Sequence, residues 1–399
     1  MSEPALAILG SPPAFDAPLP VGQLYFPEWD EYVEAMRGIF ERQYYTNQGP
    51  LVRQLEAELQ ERLGVRHVIC VANATIGLLM AADALHLKGR VITPAFTFIA
   101  TAQSLTWAGA EPLFCDVDAQ SHQLDPVRVE QALEEDRRVS AVLAVNLWGD
   151  VADRARLQRL CDERGIPLYF DSAHAFGCEV DGRPVGAGGA LEVFSFHATK
   201  VLSATEGGCV CTDDDILAAR LRNIRSSYGA GQPTHVSRTA NGRMSEAQAA
   251  VALLSLKNLS AIIARNATLF DIYRQGFDGI PGLRLLEPSG VSATNYQYVV
   301  CEVDPQAFGL GRDELHAVLQ AENVMARRYF QPGIHRCPPY LSRPERQREL
   351  PVTERLCERV LQFPIGRLLD ANGAQRVVDV VRLAHGHASQ VSAALRGRG

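Results

Sequence analysis

Between residues 68 and 212 the chain alternates short apolar runs with helical stretches, and few folds accommodate that pattern. The strand-like runs are Val68 to Ala72, Val91 to Thr93, Ala110 to Phe114, Val139 to Leu147, Leu168 to Phe170, Val193 to Phe196 and Gly208 to Thr212. Between them lie Thr75 to Leu87, a helix opened by Asp125-Pro126 as N-cap and first-turn proline, and Val151 to Arg164. Such alternation predicts an α/β fold with a mostly parallel sheet covered by helices. Ahead of it, Leu51, Leu55, Leu59 and Leu63 recur every four residues, the mark of an amphipathic helix. Behind it, Ser245-Glu246-Ala247-Gln248 reads as a capping box that opens an apolar helix to Leu259. From about 265 onward, helices mix with a strand-like Tyr296 to Val303. A chain of 399 residues exceeds one ordinary core. The expected division is an extended Pro- and Ala-rich arm over 1–27, a large domain over 28–264 and a smaller C-terminal α+β domain over 265–399.

The formal charge of -7 argues against nucleic acid as a partner, because a polyanion needs a basic face, while a local Arg cluster could still hold a small anion. The opening Met1-Ser2-Glu3-Pro4 lacks a basic signal region, and no apolar run approaches the roughly 20 residues that span a bilayer. Neither secretion nor a membrane partner is expected. The nine Cys include no CxxC pair, so buried free thiols in a reducing cytoplasm are expected, with Cys209 and Cys211 on one strand face, and no metal site. Among 39 Lys plus Arg, only Lys88, Lys200 and Lys257 are lysines. A lysine can form a Schiff base and an arginine cannot.

Four stretches could carry chemistry, and each has a structural reading beside it. Ser195-Phe196-His197-Ala198-Thr199-Lys200 ends a strand in a polar turn, and Glu206-Gly207-Gly208 starts the next; Lys200 is a reactive amine or a surface lysine. Asp171 follows an apolar strand, where ligands of open α/β sheets bind. There it could hold a protonated ring nitrogen or cap the following turn. Asn73-Ala74-Thr75-Ile76-Gly77 starts a helix after a strand, which makes a phosphate cup or a plain N-cap. Phe98, in Thr93 to Phe98, could lie on a flat cofactor ring or belong to the core. In this order the four supply what a pyridoxal-phosphate (PLP) enzyme needs.

That order resembles the DegT/DnrJ/EryC1/StrS sugar aminotransferases from about Leu19 to Gly366. The matching stretches are Thr46 to Pro50, Asn73 to Leu78, Thr93 to Ala102, Asp171 to Gly177, Ser195 to Gly208, Asn241 to Ala249 and Pro332 to His335. The resemblance implies the PLP aminotransferase fold type I, with the cofactor carried as a Schiff base on Lys200. In members with His at that position the chemistry is dehydration; Lys200 implies the transaminating branch. It further implies that Ala74, Thr75 and Ser195 contact the phosphate, Phe98 stacks on the ring, Asp171 pairs with the pyridine nitrogen and His174 lies near the ring hydroxyl. Asn241 would reach the phosphate of the other subunit's cofactor, making a homodimer the functional unit. The family's Ser-Gly-Thr is Asn73-Ala74-Thr75 here, and its His-Gly is Tyr228-Gly229.

The implied reaction moves an amino group from glutamate to a nucleotide-linked keto sugar in two halves, with the freed Lys200 amine as base and acid. The motifs stand nearest to the 4-aminotransferases that make dTDP-4-amino-4,6-dideoxyglucose; a 3-keto sugar or a keto-cyclitol remains an alternative. Tyr329, His335 and Arg328 are candidates to line the sugar site or are ordinary loop residues. Arg327, Arg328 and Arg336 are candidates for a diphosphate. Two other classes remain open. One is a PLP-binding regulator without turnover. The other is a different Lys–PLP enzyme such as a cysteine desulfurase, for which Cys337 is the loop thiol, or an aldolase.

Overall fold

A computed structural model describes residues 6–342 and 348–397. The first five residues of the expected arm therefore lie outside the described residues. Seven strands form the central sheet: β1 (His67–Val71), β2 (Arg90–Pro94), β3 (Glu111–Cys115), β4 (Val139–Val145), β5 (Leu168–Asp171), β6 (Glu192–Ser195) and β7 (Gly208–Thr212). Their spatial order is β1-β7-β6-β5-β4-β2-β3. All pairings are parallel except those of β7, which runs antiparallel to β1 and β6. Side chains alternate between faces with period two. Ile69, Val71, Tyr169, Val193 and Val210 enter one buried cluster. Val68, Cys70, Phe194, Cys209 and Cys211 enter another. Both faces are covered, as a parallel sheet requires.

The helices that cover it include α1 (Trp29–Arg42), α2 (Pro50–Leu63), α3 (Ala74–Ala84), α4 (Ile99–Ala108), α5 (Pro126–Glu135), α6 (Arg154–Arg164), α7 (Asp215–Arg225), α8 (Glu246–Lys257) and α9 (Leu259–Phe277). The leucine row of α2 points inward: Leu55, Leu59 and Leu63 are buried. Helix α6 starts three residues later than the sequence suggests, because Asp153 takes the Arg156 N–H and acts as N-cap. The capping box of Ser245 and Gln248 forms. The helix it opens stops at Lys257 rather than running on through Leu259; α9 restarts after Asn258 with a 59° bend. No single helix among the described residues is long and apolar enough to cross a membrane.

Beyond the sheet, β8 (Leu283–Leu285), β9 (Val299–Val303) and β10 (Val360–Phe363) make a three-stranded antiparallel sheet in that spatial order. Helix α9 joins the two packing units: Leu259 and Ile263 pack with the α2 cluster, while Leu269, Phe270, Tyr273 and Phe277 enter the core of the C-terminal unit. The N-terminal arm corrects the expectation of a merely extended segment. Leu6, Ile8 and Leu19 are buried in that same C-terminal core. Residues Ala7–Leu9 form a 3-10 turn, and Leu19–Pro20 pairs in parallel with Val324–Met325. Glu322 accepts the backbone N–H groups of Ala7 (2.6 Å) and Ala14 (2.7 Å), which removes those donors from solvent.

Candidate active site

Parallel strands deliver their carboxyl ends to one edge, and there a cavity of about 1250 Å³ opens between the sheet and the C-terminal unit. Asp171 ends β5, and Lys200 lies in the turn after the neighbouring β6. Both line the cavity, together with Ala74, Thr75, Phe98, His174, Ser195 and Tyr329.

Helix α3 packs closely onto the sheet because glycines stand at two contact points, Gly208 on β7 and Gly77 on α3 itself. A Cβ on Gly208 would lie 2.5 Å from the Phe194 carbonyl oxygen and 3.0 Å from the Ala74 nitrogen; one on Gly77 would lie 2.9 Å from Val193 Cγ1. The first N–H groups of a helix lack intrahelical acceptors. Asn73 Oδ1 takes that of Ile76 at 2.9 Å, leaving those of Ala74 and Thr75 at the cavity wall for an anion. Phe98 is the N-cap residue of α4 and keeps 58% of its surface exposed, an unusual state for a phenyl ring inside a fold.

Asp171 is buried, and burial pushes its carboxyl up from the usual range. Hydrogen bonds oppose this: Thr101 Oγ1 donates to Oδ2 at 2.8 Å, and the Ala173 N–H donates to Oδ1 at 3.2 Å. Thr97 Oγ1 stands 3.1 Å from Thr101 Oγ1 and completes a hydroxyl chain behind the acid. Burial lowers Lys200 to about 8, with Asp171 pulling the other way. Its Nζ donates to the Tyr298 hydroxyl at 3.1 Å. His174 is held well below its ordinary value by burial and by Lys200, so its ring is neutral. Its Nδ1 accepts the Trp148 N–H at 3.5 Å, and its ring centroid lies 4.3 Å from that of Tyr298.

A strap from Pro20 to Phe26 forms one cavity wall. The Tyr25 N–H donates to the Ala198 carbonyl at 2.9 Å, two residues before the lysine. On the other side Gly22 bridges to Ile365, and the Leu368 N–H donates to Gln23 Oε1 at 2.6 Å.

The candidates for the sugar and diphosphate side separate. Tyr329 and Arg327 line the cavity, with Arg327 Nη1 donating to Tyr329 Oη at 2.8 Å. Arg328 turns away and pairs with Asp313 at 3.1 Å. Arg336 pairs with Glu354 at 2.5 Å. His335 is buried beside the same Glu354, 3.6 Å away, outside the cavity wall. Arg328, Arg336 and His335 thus lie outside the lining of this cavity, each beside a carboxylate of a neighbouring helix. Arg265 of α9 and Arg367, from the loop after β10, stand at the cavity instead. Cys337 is absent from the lining. Asn241 sits exposed, outside the cavity of its own chain.

Sequence reading missed Thr101, Tyr298, Arg265 and Arg367. Thr101 carried a signal, since it follows Thr97 by one helical turn at the head of α4. Tyr298 was hidden in a strand-like run that accounts for a tyrosine without any function.

The donor set fits PLP. A half-buried amine lowered to about 8, in no ion pair among the described residues, suits an aldehyde. The buried acid suits a protonated ring nitrogen, and the α3 terminus suits a phosphate.

A model of the DegT/DnrJ/EryC1/StrS aminotransferase family matches residues 28–382. The chain is 33% identical over 370 residues to the dTDP-4-amino-4,6-dideoxy-D-glucose transaminase of Shigella dysenteriae, covering 92% of this chain and 99% of that protein. It is 32% identical to the dTDP-3-amino-3,4,6-trideoxy-alpha-D-glucose transaminase of Streptomyces venezuelae, covering 84% and 87%. A crystal structure of DesI, described as in the presence of its TDP-sugar product, superposes with a TM-score of 0.93 at 41% identity and covers 99% of each chain. The chain belongs to the DegT/DnrJ/EryC1/StrS aminotransferase family and is a PLP-dependent enzyme that transfers amino groups.

Proposed function

We propose that the protein moves the amino group of L-glutamate to dTDP-4-keto-6-deoxyglucose, giving dTDP-4-amino-4,6-dideoxyglucose. The observation that carries the catalytic half is the convergence of Lys200 and Asp171 on one cavity, the first a half-buried amine lowered to about 8 and the second a buried acid held as an acceptor. In this reading Lys200 holds the cofactor, Asp171 pairs with its ring nitrogen, Ala74, Thr75 and Ser195 hold its phosphate, Phe98 covers its ring, and His174 lies near its hydroxyl. When bound, the cofactor withdraws electrons from the carbon that bears the amine and makes its proton removable. Lys200 would serve there as the base that takes that proton and the acid that returns one; burial keeps a working fraction of its amine neutral near pH 7–8.

The acceptor's diphosphate is assigned to Arg327, Arg265 and Arg367. All three line the cavity, and none has a carboxylate partner among the described residues. The 4-keto sugar is favoured by the name of the Shigella relative; the Streptomyces venezuelae relative supports 3-amination as the second reading. A homodimer is inferred in which Asn241 serves the partner's cavity. Its exposure outside its own cavity supports this, as do Phe40 and Trp107, which keep 73% and 75% of their surface exposed. The cytoplasm is the proposed compartment: all nine thiols are free, and the Cys209 and Cys211 sulfurs lie 3.7 Å apart.

Incubation with glutamate and either 3-keto or 4-keto dTDP sugars, with the products read by NMR, tests the acceptor; amination of the 3-keto sugar alone refutes the 4-keto reading. Borohydride treatment should fix a pyridoxyl group to residue 200, and Lys200→Arg should lose the bound cofactor's absorbance. A Lys200→Arg protein with full turnover would end the assignment. Mixing Lys200→Arg with Asn241→Ala subunits should restore activity in hybrid dimers; no restoration counts against shared sites.

A further inference from the structure

The segment Thr294 to Tyr298, which leads into β9, ties down three separate loops of the site. Thr294 Oγ1 donates to the Gly149 carbonyl at 2.7 Å. Asn295 Nδ2 donates to the carbonyls of His174 (2.9 Å) and Phe176 (3.0 Å). Gln297 grips both neighbours of the lysine: its Oε1 takes the Val201 N–H at 2.8 Å, and its Nε2 donates to the Thr199 carbonyl. The next residue, Tyr298, meets the lysine amine itself at 3.1 Å. Its ring is wedged between His174 (4.3 Å) and Trp148 (5.5 Å). A hydroxyl accepts from an ammonium and donates to a neutral amine, so it satisfies the Lys200 nitrogen in either protonation state without a countercharge.

We propose that Tyr298 is a positioning residue for the catalytic lysine: its phenol receives the Lys200 amine whenever that amine is free and keeps it within reach of the substrate carbon. The inference rests on the role given to Lys200 above. A free lysine side chain in a cavity of this size has many rotamers, and small misplacements of a proton-transfer group cost up to about 100-fold in rate. Burial pushes the phenol well above its ordinary value, so it remains an O–H at working pH. The other titratable groups around the pair are Asp171 and His174, with Cys178 and Tyr329 beyond the phenol.

Tyr298→Phe keeps the ring against His174 and Trp148 and removes only the oxygen. The test uses full-length protein. In the holoenzyme, exchange of the glutamate α-proton with D₂O should slow about 10–100-fold. The isotope effect with α-deuterated glutamate should rise, while KM for glutamate, cofactor content and melting temperature stay near wild type. In the apoprotein, the pH midpoint for capture of pyridoxal phosphate should fall, because the lost bond favours the ammonium over the amine. Wild-type exchange and an unshifted midpoint in Tyr298→Phe would overturn the proposal. Should that variant not fold, 3-fluorotyrosine at position 298 must shift the exchange pH profile, and an unchanged profile overturns it equally. A wild-type protein that exchanges no α-proton would sink the Lys200 assignment and this inference with it; normal wild-type exchange beside an unaffected variant sinks the inference alone.

Discussion

Gly22 stands so close to Thr199 that a Cβ placed on it would lie 2.8 Å from the threonine Cγ2. The strap over the cavity and the turn that carries Lys200 are thus in backbone-to-methyl contact. Thr199 is also held through its Oγ1, 2.9 Å from His197 Nδ1, so it yields only if the lysine turn moves. Gly22→Val should therefore slow cofactor capture by the apoprotein about tenfold. Overpacking should lower stability by about 1–3 kcal/mol. Stopped-flow absorbance and urea unfolding measure the two, and an unchanged capture rate would show that the strap does not set the lysine's position.

The hydroxyl chain behind Asp171 should matter in proportion to the charge it supports. Asp171→Asn should lower turnover by at least about 100-fold, the scale of removing one pre-placed electrostatic partner. Thr101→Val removes only one hydrogen bond to that carboxylate, worth about 1.5–3 kcal/mol. Its turnover should fall about tenfold or more, and Thr101→Ser should restore most of it. Equal losses in Thr101→Val and Thr101→Ser would place the defect in packing instead.

The Lys200 amine sits at about 8 because burial disfavours its charged form. Below that pH it is mainly ammonium and above it mainly amine, and only the amine attacks an aldehyde. Capture of pyridoxal phosphate by the apoprotein should accelerate through a midpoint near 8, whereas an ordinary lysine would give one near 10.5. The same depression opposes folding, fully so below about 8 and not at all above 10.5. Lys200→Met apoprotein should thus melt higher than wild type at pH 7, with the gain vanishing in strong alkali. A gain that persists unchanged above pH 11 would contradict the titration.

Arg225 is buried on α7, and its Nη1 reaches Glu56 Oε1 at 2.6 Å and the Cys70 carbonyl at 2.8 Å. Glu56 also takes the Cys70 N–H at 2.9 Å, so one ion pair joins α2, α7 and the edge strand β1. Glu56→Ala strands a buried guanidinium and should cost about 3–5 kcal/mol in urea unfolding. Adding Arg225→Met should return much of that loss, because the uncompensated charge leaves with it. No recovery in the double variant would mean that the pair acts mainly through its backbone bonds to Cys70.

The strands and most helices could be read from residue periodicity, because period two and period 3.6 report how each side chain points relative to its own element. The caps of Asn73, Asp125 and Ser245 were readable for the same reason: their partners lie within three residues. So were the placements of Ala74, Thr75, Phe98, Asp171, Ser195 and Lys200 at the cavity, since every parallel strand brings its carboxyl end to the same edge. Helix α1 escaped notice; its large apolar side chains Trp29 and Phe40 are exposed, and Ile39 is the residue it buries. Nothing local distinguishes Arg327 from Arg328. Asp313, fifteen residues back in the chain, draws one outward, and the docking of the C-terminal unit turns the other inward. The order of amino acids alone determined the sheet, its helices and the edge where chemistry occurs. Only the tertiary structure decided which residues from distant segments (Tyr298, Arg265, Arg367 and the N-terminal strap) close that edge, because their positions depend on how two separately packed units meet along α9.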